Sequence, residues 1–332
     1  MSTSSSVQSP AARVEALREH IDEALPALVA DRQPRRLYEP VRYVLSGGGK
    51  RVRPTLLLLI AEAYGAERER VMPAALAVEV FHNFTLVHDD IMDEAEERRG
   101  RPTVHVKWDV DRAILVGDLM LGLSYRLLGE VDGGVQGRLY EVFHPMVEQL
   151  CRGQALDAGF EAQEDVSVEA YLDMIDGKTG ALLGAAFELG AVAGGAAPEA
   201  QAQLRAAGQQ VGRAFQIQDD LLDLTAESED WGKAVGGDLV VGKKTFLTLR
   251  ALERAEGAEH DWFARIVTEG GLPPEDVPEA RRRMESLGVL EEARTAVTEY
   301  TEQARSHLHL LPDTPATDAL LWLIDQMEAR SH

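Results

Sequence analysis

The chain has 332 residues, 45% of them hydrophobic, with a net charge of −22 and one cysteine. That length and apolar content allow a sizeable core, while the charge argues against nucleic acid or an anionic membrane surface as partners. The lone Cys151 excludes an internal disulfide framework and fits the reducing cytoplasm.

Apolar residues recur at helical spacing along almost the whole chain. Val14, Leu17, Ile21 and Leu25 form the first stripe, behind Ser9 as N-cap and Pro10 at the first helical position. Later stripes run near 52–67, 73–92, 112–129, 136–150, 170–196, 200–223, 245–255, 280–307 and 315–330. Glycine clusters at 47–49, 133–134, 194–195 and 270–271 separate them. No alternating strand pattern and no solenoid-length repeat is seen. The reading is a single all-α domain over 1–332, a large bundle of ten or more helices, with 1–10 flexible. The polar N-terminus carries no secretion leader. The apolar runs Leu56–Ile60 and Ala181–Ala196 fall short of a bilayer span, so no stable membrane insertion is expected. Such broad acidity fits a salty cytoplasm, where screening tolerates it.

Two segments share the pattern Asp-Asp-x-x-Asp: Asp89-Asp90-Ile-Met-Asp93 and, 130 residues later, Asp219-Asp220-Leu-Leu-Asp223. Each closes an apolar helical stripe. On a helix, i and i+4 share a face, so Asp89 pairs with Asp93 and Asp219 with Asp223. Like charges at that spacing cost about 0.2–0.5 kcal/mol per pair, a cost that a cation removes. Hard oxygen ligands with room for water and phosphate suit Mg²⁺. One such cluster is as readily a solvated acidic face. Two identical ones argue for a common task, and two facing helices would bring them over one cavity.

Cations follow the same motifs. Only six lysines stand against 28 arginines, and five of the six fall in the segments described here. Gly48-Gly49-Lys50-Arg51-Val-Arg53 places three cations beside a glycine turn, where backbone approaches phosphate closely. Arg98-Arg99-Gly100 trails the first cluster, and Lys233 with Lys243-Lys244 trails the second. Lys178-Thr179 interrupts an apolar helix, where a cation needs an anion. His82 lies seven residues before Asp89, on the same helical face. No zinc spacing, Walker loop or nucleophile elbow is present.

With these motifs in their order, the sequence resembles the trans-type polyprenyl diphosphate synthases (the farnesyl/geranylgeranyl diphosphate synthase family). The likeness rests on Gly-Gly-Lys50-Arg-x-Arg53, Glu79-x-x-His82, His88-Asp89-Asp90-x-x-Asp93, Arg98-Arg99-Gly100, Gly117-Asp118, Gly153-Gln154-x-x-Asp157, Lys178-Thr179, Phe215-Gln216-x-x-Asp219-Asp220-x-x-Asp223, Gly232-Lys233, Gly237-Asp238 and Lys243-Lys244. Trp108-Asp109 departs from the usual aromatic-glycine pair.

The resemblance implies an isoprenoid-synthase bundle with a central cavity, a homodimer, and three Mg²⁺ ions per active site. Asp89, Asp93 and Asp219 would hold the metal, with Asp90, Asp220 and Asp223 supporting by ligation or bound water. Arg98, Lys178 and Lys233 would hold the allylic diphosphate. Lys50, Arg53, His82 and Arg99 would bind the diphosphate of isopentenyl diphosphate, with Lys243 among the substrate-binding cations. Thr179 and Gln216 would line the reacting end. Ionisation of an allylic diphosphate needs metals and fixed cations for the departing polyanion, and Phe215 is open between cation–π contact and core packing.

Bulky residues below Asp89 would floor the product tunnel, here Phe84 and Thr85 by family pattern and Phe81 by the helical wheel, about 12 Å below Asp89. That predicts a C20 product ahead of C15. A terpene cyclase would lack Gly-Gly-Lys-Arg-x-Arg, and a non-catalytic partner subunit would be free to lose metal aspartates; all six are present here.

Overall fold

The computed structural model describes residues 8–160, 162–163, 165–226 and 235–329. Helix α1 (Pro10–Ala27) starts where Ser9 accepts the Ala12 N–H at 3.3 Å, so the expected flexible stretch does not reach Pro10. There follow α2 (Arg35–Leu45), α3 (Val52–Ala63), α4 (Arg68–Met92), α5 (Val104–Lys107), α6 (Val110–Gly129), α7 (Gln136–Phe160) and α8 (Val168–Ile175). A π-helical turn, Asp176–Gly180, leads into α9 (Ala181–Gly194), and α10 (Pro198–Thr225) carries the second acidic cluster. The chain ends with α11 (Gly237–Val240), α12 (Phe246–Arg254), α13 (Ala258–Thr268), α14 (Val277–Ser286), α15 (Val289–His307) and α16 (Pro315–Glu328).

The differences from the sequence reading have local causes. Helix α2 escapes the periodicity because its short, Arg-rich sequence buries only Pro40, Val41 and Leu45. The stripe at 280–307 is two helices, split where Gly288 takes φ +73°. The only strands among the described residues, β1 (Glu97–Arg98) and β2 (Arg101–Pro102), are two residues long, too short to alternate. Their turn residues Arg99 and Gly100 both have positive φ, as a two-residue hairpin turn requires. Asp109, the departure from the family pattern, N-caps α6 by accepting the Arg112 N–H at 2.7 Å.

The chain forms two compact units. The first comprises Met1–His144, Ala185–Leu204 and Leu310–Leu323; the second comprises Pro145–Gly184, Arg205–His309 and Ile324–His332. In the first, α4 packs on α3 and α6. Helix α4 also has the length and apolarity of a membrane span, which the sequence reading did not flag; 61% of that window is buried in the protein, as in a core helix. In the second, Phe160, Tyr171, Ile217, Leu221, Phe246 and Phe263 belong to one buried cluster. Gly153 and Gly177 cross at backbone contact: a Cβ on Gly153 would lie 2.4 Å from the Lys178 nitrogen, so no other residue fits without displacement.

Candidate active site

The first acidic cluster ends α4. Asp93 is its C-cap, and the Asp93 N–H still donates to the Asp89 carbonyl at 2.8 Å, so the i,i+4 pairing survives at the helix end. Asp89 is half-buried and Asp93 exposed. Asp90 points elsewhere. It is 4% exposed, and its Oδ1 accepts the Arg98 Nε–H at 2.6 Å. Burial raises its pKa, against the pull of that guanidinium. Arg98 therefore pairs with Asp90 rather than with the neighbouring glutamates. His88 fits against α6 because residue 117 is glycine: a Cβ there would meet the imidazole Nε2 at 2.0 Å. That ring donates to the Ile114 carbonyl at 3.3 Å.

Beside this cluster lies a basic group. Arg53 Nη1 is 3.4 Å from His82 Nε2. A guanidinium only donates, so Nε2 accepts and the imidazole is neutral with its proton on Nδ1. Burial, and then the charges of Arg53, Arg99, Arg98 and Arg51, hold the His82 pKa well below its ordinary value. Arg99, on the hairpin turn, donates to the Gly48 carbonyl. A Cβ on Gly49 would lie 2.9 Å from the Arg99 guanidinium, so the glycine loop makes room for this cation.

Arg51 corrects the expectation of three cations at the glycine turn. Its side chain is 1% exposed, turned inward to Asp22 at 2.7 Å and Glu79 at 2.6 Å. Glu79 also accepts from Asn83 at 3.1 Å. This network ties α1, α3 and α4 together and leaves Lys50 and Arg53 as the motif's other two cations. Lys107 lies over the Tyr43 and Trp108 rings at 3.8 and 4.9 Å, a packing role.

The expected chain-length residues form one aromatic row. Phe84 lies against His88 at 4.9 Å and Phe81 at 5.3 Å, and Phe81 meets Phe143 at 5.2 Å. Phe81 is fully buried, whereas Phe84 is half-buried. Thr85 turns its hydroxyl to the His82 carbonyl at 2.8 Å.

The second cluster sits in α10. Asp219 and Asp223 are half-buried, and Asp223 Oδ2 accepts the Asp238 N–H at 3.0 Å. Asp220, expected among the metal ligands, is 5% exposed and spends both oxygens on protein donors. Oδ2 accepts from the Tyr171 hydroxyl and from the Phe246 N–H at 3.0 Å, and Oδ1 accepts from Gln216 Nε2 at 3.3 Å. Both of its oxygens thus engage protein donors, and it is buried where the Asp219 and Asp223 carboxylates beside it are half-buried. Burial, and then the charge of Asp238, push its pKa up to about 7. Gln216 Oε1 in turn accepts the Thr179 hydroxyl at 3.1 Å.

Lys178 lies in the π-turn, a deformation that recurs at functional sites. Its Nζ meets Asp157 Oδ2 at 2.5 Å, which supplies the anion its sequence position demanded. Lys243 is 3.9 Å from Asp238. Lys244 donates to the Phe160 carbonyl at 2.8 Å, a fold contact. Phe215 is half-buried and lines a small cavity with Val297, Ile324 and Met327. Lys233 lies outside the described residues.

Among the described residues no three His, Cys, Asp or Glu side chains converge into a self-contained metal cage. The outward carboxylate pairs nevertheless fit Mg²⁺, which binds through one or two carboxylates and completes its shell with water and phosphate oxygens. Sequence reasoning missed Tyr171, a tyrosine in an amphipathic helix with no motif around it. It also missed the pairing of Glu79 with Arg51, although both stood in quoted motifs.

Residues 34–284 match the family described as polyprenyl synthetase. A geranylgeranyl diphosphate synthase of Methanosarcina mazei is 38% identical over 94% of this chain and 95% of its own. A geranylfarnesyl diphosphate synthase of Natronomonas pharaonis is 35% identical over 95% of this chain and 96% of its own. The crystal structure of a Caulobacter crescentus polyprenyl synthase, complexed with calcium and isoprenyl diphosphate, superimposes with a TM-score of 0.86 at 28% identity, covering 100% of both chains.

Proposed function

The chain belongs to the polyprenyl synthetase family, and we propose that within it the protein is a short-chain trans-prenyltransferase. It joins isopentenyl diphosphate to allylic diphosphates, with geranylgeranyl diphosphate (C20) as main product. The observation that carries this reading is the division of labour in both acidic motifs. In each, the middle aspartate is buried on protein donors while the i,i+4 pair stays accessible.

Mg²⁺ held by Asp89, Asp93, Asp219 and Asp223 would supply Lewis-acid stabilisation of the departing diphosphate. Lys50, Arg53, His82 and Arg99 bind the diphosphate of isopentenyl diphosphate. Neutral His82 offers its Nδ1–H there without adding a charge to the guanidiniums. Arg98, Lys178 and Lys233 take the allylic diphosphate. In the structure Arg98 is paired with Asp90 and Lys178 with Asp157, so each trades a carboxylate for the ligand. Thr179 and Gln216 line the reacting carbon. No side-chain nucleophile is needed, because the alkene of isopentenyl diphosphate attacks the allylic cation and the released diphosphate accepts the final proton.

A homodimer is part of the same reading: Val110, Ile114 and Leu115 expose an apolar row on α6, 43–57% accessible, that a second copy would cover. Light scattering tests it.

The functional test is a product profile. Purified protein is given Mg²⁺, isopentenyl diphosphate and each of the C5, C10 and C15 allylic diphosphates, and products are sized after dephosphorylation. A dominant C20 alcohol is expected. A C15 product would keep the chemistry and raise the tunnel floor; no elongation by folded protein would overturn the reading.

A further inference from the structure

The second unit contains a hydrogen-bond relay built around a tyrosine to which the reaction described above gives no part. Tyr171, 2% exposed on α8, donates its hydroxyl to Asp220 Oδ2. The Phe246 N–H, at the first residue of α12, donates to the same oxygen at 3.0 Å. Two donors on one oxygen fix the carboxylate rotamer and leave Oδ1 toward Gln216 Nε2 at 3.3 Å. Gln216 Nε2 is the donor to Oδ1, so the NH₂ end of the amide faces the carboxyl group. The carbonyl end then faces Thr179, whose hydroxyl donates to Oε1 at 3.1 Å. The relay thus dictates which end of the amide stands beside Thr179.

We propose that Tyr171 is a positioning residue for the condensation: by clamping Asp220 it holds Gln216 so that the amide carbonyl, rather than the amide nitrogen, is presented to the reacting allylic group. The inference rests on the prenyltransferase reading above. Its physical content is electrostatic. A carbonyl oxygen is the negative end of a dipole and stabilises a developing allylic cation, while an amide N–H would oppose it. The fixed dipole needs no reorganisation during reaction, which is the advantage of a preset orientation. Without the tyrosine hydroxyl, Asp220 keeps the Phe246 N–H on Oδ2 and the long Gln216 bond on Oδ1, and its rotamer is held less firmly. The amide is then freer to turn over. Tyr171 itself touches no reacting atom, and neither the diphosphate cations nor the accessible aspartates contact it among the bonds described.

The test compares wild type with Tyr171→Phe. We expect kcat at saturating Mg²⁺ and substrates to fall about tenfold or more, the usual cost of removing a supporting partner behind a functional group. KM for both diphosphates and the Mg²⁺ concentration for half-activation should stay within about twofold. Equal losses in kcat and Mg²⁺ affinity would mean that Asp220 is a metal ligand after all and would overturn the proposal, as would an unchanged kcat. Because Tyr171 is buried, Asp220→Asn is the second variant: its carboxamide can keep the tyrosine bond while offering an N–H to Gln216, and it should lower kcat with the same KM pattern. A readout independent of turnover is the side-chain amide of Gln216 in ¹⁵N-glutamine-labelled protein, assigned with Gln216→Glu. Its two N–H signals should shift and exchange faster in Tyr171→Phe; coincident signals would overturn the proposal. An inert wild type whose Gln216 signals still move would sink the activity reading and leave the relay standing.

Discussion

The two acidic clusters have one pattern and two ways of holding the middle carboxylate. In the first unit Asp90 is met by a charged donor, Arg98, whose side chain is 37% exposed. In the second unit Asp220 is met by neutral donors from Tyr171, Phe246 and Gln216, in a fully enclosed setting. A guanidinium is a partner that can leave for a diphosphate; a tyrosine and a backbone N–H are not. The first middle carboxylate is therefore held by a partly solvated charge and the second by enclosed neutral donors. Identical residues at identical spacing acquire different duties from what surrounds them.

The largest expected effects would show whether the clusters are equal where they are accessible. Asp89→Ala and Asp219→Ala should each lower kcat by about 10³-fold, the scale of several kcal/mol of charge stabilisation. If one variant stays within tenfold of wild type, its cluster does not hold a required metal.

The aromatic residues ahead of each cluster should part company next. Phe84→Ala opens the half-buried end of the Phe84–Phe81 row and should lengthen the product by one or two C5 units. Phe215→Ala, ahead of the second cluster, should leave product length alone and cost less than the roughly 3–5 kcal/mol of a fully buried aromatic, because Phe215 is half-buried. Chromatography of the alcohols and a urea melt read both. Unchanged products from Phe84→Ala, even combined with Phe81→Ala, would refute the floor.

Smaller still is the contrast between the middle aspartates in stability. Asp90→Asn deprives Arg98 of its partner and should cost up to about 1 kcal/mol, since the pair is partly solvated. Asp220→Asn removes a charge that burial disfavours, and at pH 8 its Tm should be unchanged or higher. The reverse order would mean that the charge on Asp220 is structural.

The smallest effect is a pH slope from His82 in the first unit, opposite in sign to the one that Asp220, with its pKa pushed up to about 7, contributes in the second. The pKa of His82 is depressed in the folded protein below its ordinary 6.5. Below that value the unfolded chain binds a proton that the folded chain refuses. The stability from neutral His82 is thus complete above about pH 6.5 and is lost as pH falls toward the folded pKa. Urea unfolding of metal-free protein between pH 7.5 and 5.5 should show a shallower decline in His82→Gln than in wild type.

How much of this was legible can be argued from single residues. The helical class, the Ser9 cap and the i,i+4 carboxylate pairs follow from short-range periodicity, which the chain writes in its own order. The anion for Lys178 was anticipated as a need, because a cation in an apolar helix demands one, yet Asp157 as the partner emerged only in three dimensions. Arg51 was misjudged for the same reason: adjacency to Lys50 says nothing of a left-handed backbone at φ +47° that turns its side chain toward Asp22 and Glu79.

By itself, then, the sequence determined the helical class, the chemistry of paired carboxylates and basic motifs, and the family they resemble. Those properties reside in residue type and spacing within one or two helical turns. Tertiary structure alone decided which aspartates face outward, which cations are engaged by the fold, why residue 117 must be glycine, and that Tyr171 stands behind Gln216. Each of these depends on contacts between segments distant in sequence, where burial and hydrogen-bond geometry set the role of a side chain.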